Sequence, residues 1–268
     1  MADVLRGAVR TVMARRWLRR TLGVTVTLAV VAAGLLTVAS VGVIVRDDDG
    51  CPRSVGPLAA VSWIDVVHVD GITYERVDGR RRGDERVDRA LVGDRLETVK
   101  CAIAQAVQKP GYDLRDGEAT YLEPGTTVHA LVGTDVAFRV VAMDDGSPFV
   151  YENRWQPDAR TGADLLPFDS DAVRAVRFLS DVDGRTLLGE VTARDEVVAF
   201  VDDLRSSAVD PKAGRGFGEE PRVFIALELA GQPPVVVVAY PRHAVTTQGL
   251  RLSDEVVEQL PEPARSST

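Results

Sequence analysis

The chain has 268 residues, 45% of them hydrophobic and 27% charged, with a formal net charge of −8. Such a balance excludes wholesale disorder, a collagen repeat and a disulfide-dense miniprotein. The charge is unevenly spread: residues 1–20 carry a net +5, whereas everything from Asp47 onward carries −14. The 29 arginines against three lysines read as the codon bias of a GC-rich genome and carry no functional weight.

In chain order, residues 1–20 form a basic tail, too short to fold as a domain. The run 21–45 holds 25 residues without a charge, and about 20 apolar residues suffice for a helix to cross a bilayer. The expectation is a transmembrane helix, with a cleavable signal peptide ending near Val38-Ala39-Ser40 as the rival. Arg15, Arg16, Trp17, Arg19 and Arg20 are then membrane-interface residues that meet anionic lipid headgroups. The positive-inside rule places the N-terminus in the cytoplasm and the acidic bulk outside the plasma membrane.

Residues 46–58 read as a polar stalk containing Cys51. Two cysteines in an oxidising compartment predict a Cys51–Cys101 disulfide, with an intermolecular Cys51 bridge or free thiols as alternatives. Residues 59–153 read as a β-rich module. Val61–Val69 is rich in β-branched residues, Asp70-Gly71 and Asp145-Gly146 are tight-turn signals, and Val128–Val132 and Val136–Met143 read as strands. Leu91–Val107 suits either a strand or a helix.

Residues 154–171, with Pro157, Gly162 and Pro167, read as a linker in which Trp155 is a partly buried anchor. Residues 172–260 read as an α+β module in the order β-β-α-β-β-α. Thr192 is placed to cap a helix whose apolar face is Val197, Val198, Val201 and Leu204, and Ser253 to cap a C-terminal one. Residues 261–268 read as a disordered tail. The fold class expected is therefore a single transmembrane helix plus an extracytoplasmic ectodomain of one β-rich and one α+β module.

No motif names a reaction. There is no G-x-S-x-G elbow and no S-x-x-K, and His68, His129 and His243 are scattered. Asp181-Val182-Asp183-Gly184 has Thr192 where a calcium loop needs its closing glutamate, so a hairpin turn is expected. Gly214-Arg215-Gly216-Phe217-Gly218 lacks the following Lys-Ser or Lys-Thr of a phosphate loop. No cofactor or metal is expected, and the acidic balance disfavours nucleic acid.

Val67-His68-Val69-Asp70-Gly71-Ile72-Thr73-Tyr74, Val92-Gly93 and Ala119-Thr120-Tyr121-Leu122-Glu123-Pro124-Gly125-Thr126 resemble a pattern in uncharacterised, envelope-anchored exported proteins of Gram-positive bacteria. The resemblance covers about a third of the chain. It implies a location in the cell envelope and no assigned activity. The layout is also similar to single-pass divisome proteins, although the order after the apolar run departs from theirs. The function expected is a non-catalytic, single-pass envelope protein that binds a protein or wall partner. The alternatives are a membrane-anchored enzyme with an unrecognised site and a divisome or transmembrane regulatory component.

Overall fold

The computed structural model describes residues 43–56, 61–77, 87–218 and 220–262. Among these residues it is mostly β-sheet with three short helices, which corrects the expected fold class. Of the expected span, residues 21–42 lie outside the described residues, as do Arg15, Arg16, Trp17, Arg19 and Arg20. Its last three residues, Val43 to Val45, lie in a strand. No helix among the described residues is long and apolar enough to cross a membrane. β-branched Val43, Ile44 and Val45 suit an extended backbone, and pairing with a second strand satisfies their peptide groups.

That first pair is β1 (Val43–Arg46) against β2 (Pro52–Val55). Its turn end is fixed by the Cys51–Cys101 disulfide, with the two Cα atoms 5.5 Å apart. An ionic tie reinforces it, because Arg46 donates to Glu118 at 2.7 Å. Glu118 is buried and also accepts from the Tyr112 hydroxyl and the Arg115 backbone N–H. The pairing with Glu118 holds the Arg46 pKa above its usual value. Burial, then the hydrogen bond to Glu118, pushes the Tyr112 hydroxyl up to about 12.

Eight strands form the main sheet: β3 (Val66–Val69), β4 (Ile72–Arg76), β5 (Val92–Thr98), β6 (Cys101–Ala102), β7 (Glu118–Ala119), β8 (Thr127–Leu131), β9 (Arg139–Asp144) and β10 (Ser147–Glu152). Their order is β5-β8-β9-β10-β4-β3-β7-β6, antiparallel except for β6 against β7. Asp70 and Gly71 take φ of +51° and +76°, the left-handed pair that a two-residue hairpin turn requires. β9 is apolar on both sides because both sides are covered. Val140 and Ala142 join a cluster around Tyr74 and Tyr151, while Val141 joins Leu131 and Val150.

A second, five-stranded antiparallel sheet has the order β12-β11-β13-β14-β15. Its strands are β11 (Val173–Ser180), β12 (Leu187–Val191), β13 (Val223–Leu229), β14 (Val235–Tyr240) and β15 (Val245–Thr246). Helix α1 (Gly162–Leu165) precedes it, α2 (Arg194–Ser206) follows β12 and α3 (Asp254–Gln259) is the last element among the described residues. In α2, Val197, Phe200, Val201 and Leu204 recur at helical spacing and are buried on the sheet, each burial stabilising by about 2 kcal/mol. Ala193, not Thr192, is the N-cap residue, and no side chain caps this helix; Asp195 and Glu196 in its first turn favour the helix dipole instead. Ser253 caps α3 as expected, accepting from the Val256 backbone N–H at 3.2 Å.

Candidate binding surface

The two sheets meet around one arginine. Arg139 opens β9 and is fully buried. Its Nε and Nη2 donate to Glu152 at 2.8 and 2.6 Å across the β9–β10 pair. Nη1 donates to Gln232 Oε1 and the Pro233 carbonyl at 3.1 and 2.9 Å, and Nη2 also reaches the Pro234 carbonyl at 3.1 Å. All five guanidinium N–H groups are thus used. The acceptors come from the turn between β13 and β14, where two prolines offer carbonyls and no competing N–H. Beside this bolt, Phe138 enters the core of the second sheet and lies 6.0 Å from Phe168, centroid to centroid.

A cleft of about 500 Å³ opens next to Phe138. One wall is the loop before β9, with Asp135 and Ala137; the other is Asn153, Trp155 to Ala159 and helix α1. Trp155 stands at this cleft and is 70% exposed, which corrects the expected partly buried anchor. Its backbone is nonetheless fixed. Asn153 Oδ1 accepts from the Trp155 N–H at 3.2 Å, and Asn153 Nδ2 donates to the Ala137 carbonyl at 3.0 Å. The opposite wall is held by the Tyr74 hydroxyl, which donates to the Val136 carbonyl at 2.9 Å. Burial pushes that hydroxyl up to about 12.

Three carboxylates, Asp135, Asp158 and Asp164, line the cleft, and no lysine, arginine or histidine lines it. Asp164 accepts from the backbone N–H groups of Arg160 and Thr161, both at 2.8 Å. Those bonds hold its pKa below the usual carboxylate value. The carboxylate therefore stays ionised while fixing the start of α1.

A larger cleft, about 700 Å³, lies by the β13–β14 turn and includes Arg177, Glu190 and Glu228. Arg177 faces Glu190 and Glu228 at 3.5 Å each, so these charges answer one another within the protein.

The histidines do not converge, and none lines these clefts. His129 meets the Gly93 carbonyl and Thr127, and His243 meets Glu220 at 2.7 Å beneath Phe217. His68 stands between Thr73, at 2.8 Å, and Asp116, at 3.6 Å. That order matches a nucleophile, a base and an acid. Thr73, however, pairs directly with His68 across the β3–β4 hairpin, and Asp116 is engaged by the Gly71 N–H. Among the described residues, no group of three or more His, Cys, Asp or Glu is placed to hold a metal ion. Asp183 binds its own turn, through the Thr186 hydroxyl at 2.6 Å and the N–H groups of Arg185 and Thr186.

No protein-family model matches the chain, and no match was found among curated proteins or solved structures. Among the described residues singled out from sequence, Cys51 and Cys101 are brought together in the disulfide, and Phe217 of the glycine-rich loop stacks on His243. The bolt and the cleft were missed. A signal for the bolt did exist: Arg139 is a lone charge in Phe138-Arg139-Val140-Val141-Ala142. Nothing local distinguishes an exposed Trp155 from a buried one.

Proposed function

We propose that this protein is a non-catalytic binding protein of an oxidising, extracytoplasmic compartment, and that it holds a protein partner at the Trp155 cleft. The observation that carries the reading is the combination at residue 155. A large aromatic side chain is left 70% exposed on a backbone that Asn153 holds fixed. Exposed aromatics on rigid supports are what interfaces use as anchors, because they bury much area and lose little entropy. The disulfide supports the compartment, since such bonds persist where thiols are not kept reduced.

The test is a photo-crosslinking amino acid at position 155, with Lys212 as the exposed control site. In the cells that make the protein, position 155 should give a discrete protein adduct that position 212 does not. The identified partner should bind the purified wild type and lose binding to Trp155→Ala. Equal adducts at both positions, or equal affinity of both proteins, would refute the reading.

A further inference from the structure

We infer that the Trp155 cleft recognises a basic segment of its partner, seating an arginine or lysine over the indole and against the carboxylates; this rests on the binding reading above. The charge of the lining decides the sign. Asp135, Asp158 and Asp164 face the cleft without a cationic side chain among them. Of the two flanking arginines, Arg154 is drawn away to Glu75 at 3.0 Å and Glu152 at 3.6 Å, and Arg160 acts on Asp164 alone, which leaves Asp135 and Asp158 to set the sign. An indole face attracts cations through its quadrupole, most strongly of the aromatic side chains. Beyond the cleft, the net −14 from Asp47 onward steers positive segments toward the surface.

The hydrogen-bonding inventory separates a cation from a sugar. An exposed tryptophan flanked by amides would also suit a glycan, provided the amides were free to read hydroxyls. Here Asn153 has both ends committed, its oxygen to the Trp155 N–H and its nitrogen to the Ala137 carbonyl. Gln156 donates to the Asn153 carbonyl at 3.3 Å. Asp164 and Asp135 each commit one oxygen to backbone N–H groups, so what the cleft offers outward is carboxylate oxygen, from Asp158 and from their second oxygens, and an aromatic face. That pair matches a guanidinium or an ammonium on an apolar stem.

The experiment is isothermal titration calorimetry of the full chain with capped hexa-arginine, hexa-glutamate and chitohexaose. Hexa-arginine should bind, more weakly at high salt, and the other two should not. Trp155→Ala should lower its affinity about fivefold or more. Trp155→Phe, which keeps a ring, should lower it less, and Asp158→Lys should weaken it about fivefold. Because Trp155 and Asp158 are exposed, a thermal melt should show these variants folded.

Hexa-arginine binding that is indifferent to Trp155→Ala and Asp158→Lys would mean diffuse attraction to an acidic surface and would overturn the assignment. Preferential binding of chitohexaose would overturn it in favour of a glycan. If no peptide binds while the crosslink at position 155 persists, the cleft binds a partner that is not basic. Loss of both would take the binding reading with it.

Discussion

The two halves of this molecule are stabilised in different ways. Around the second sheet, 20 buried residues form one continuous apolar cluster beneath α2 and α3. Around the first sheet, burial is divided among clusters of ten, four and three buried residues. That half adds polar and covalent ties: the disulfide, Arg46 on Glu118, and Tyr151 on Asp65 at 3.0 Å. Tyr151 is fully buried, and burial followed by Asp65 drives its pKa well above the usual phenol value. A sheet with few covering helices has short reach for hydrophobic burial, so pairing and cross-linking fill the gap. The second half has one further cluster, Leu179, Phe224 and Ala226, but rests mainly on its large one.

The largest effect should come where the halves meet. Arg139→Ala takes from buried Glu152 its closest cation, leaving Arg154 at 3.6 Å, and should lower stability by about 3 kcal/mol in a denaturant melt. If both halves then still unfold in one transition, the arginine is not what couples them. Next, the Cys51→Ser, Cys101→Ser double variant opens a loop of 50 residues and should cost roughly 4 kcal/mol. Hydrogen exchange should rise in β1, β2 and β6 and stay unchanged in β13 and β14. Equal loss of protection in both sheets would erase the contrast drawn above.

Smaller effects sharpen it. Ser253→Ala removes the cap of α3 and should cost about 1 kcal/mol, with exchange rising only in the second half. The pH dependence concerns a turn. Hydrogen bonds from the Thr186 hydroxyl, then the N–H groups of Thr186 and Arg185, hold Asp183 at about 2. Its folded pKa is depressed, so the stabilisation is complete above the ordinary aspartate value of about 3.9 and is lost as pH falls through about 2. Thr186→Val should move the Asp183 midpoint upward in an NMR titration, leaving the first sheet unaffected.

What the sequence made legible was local. Asp70-Gly71 announced its hairpin because that turn needs two positive φ angles, and the pair has them. The helical spacing of Val197, Val201 and Leu204 announced α2, and Ser253 announced its cap. Leu91–Val107 stayed ambiguous because both of its strands depend on distant partners. β5 pairs with β8, and two-residue β6 lies parallel to β7. The apolar run misled at its end, since Val43 to Val45 suit a strand as well as a span once Pro52–Val55 is opposite. The cleft was illegible for the same reason. Asp135, Trp155 and Asp164 are adjacent only after two sheets have docked.

Phe138 has a consequence for inheritance. Its backbone sits just before β9 of the first sheet, and its side chain in the core of the second. A recombination event anywhere in residues 153–167 would pass on one half with a ring-sized hole and the other with an arginine seeking carbonyls it no longer has. Neither half is a portable part. The pair should therefore travel through descent as one indivisible unit, cut and joined elsewhere in the chain or not at all.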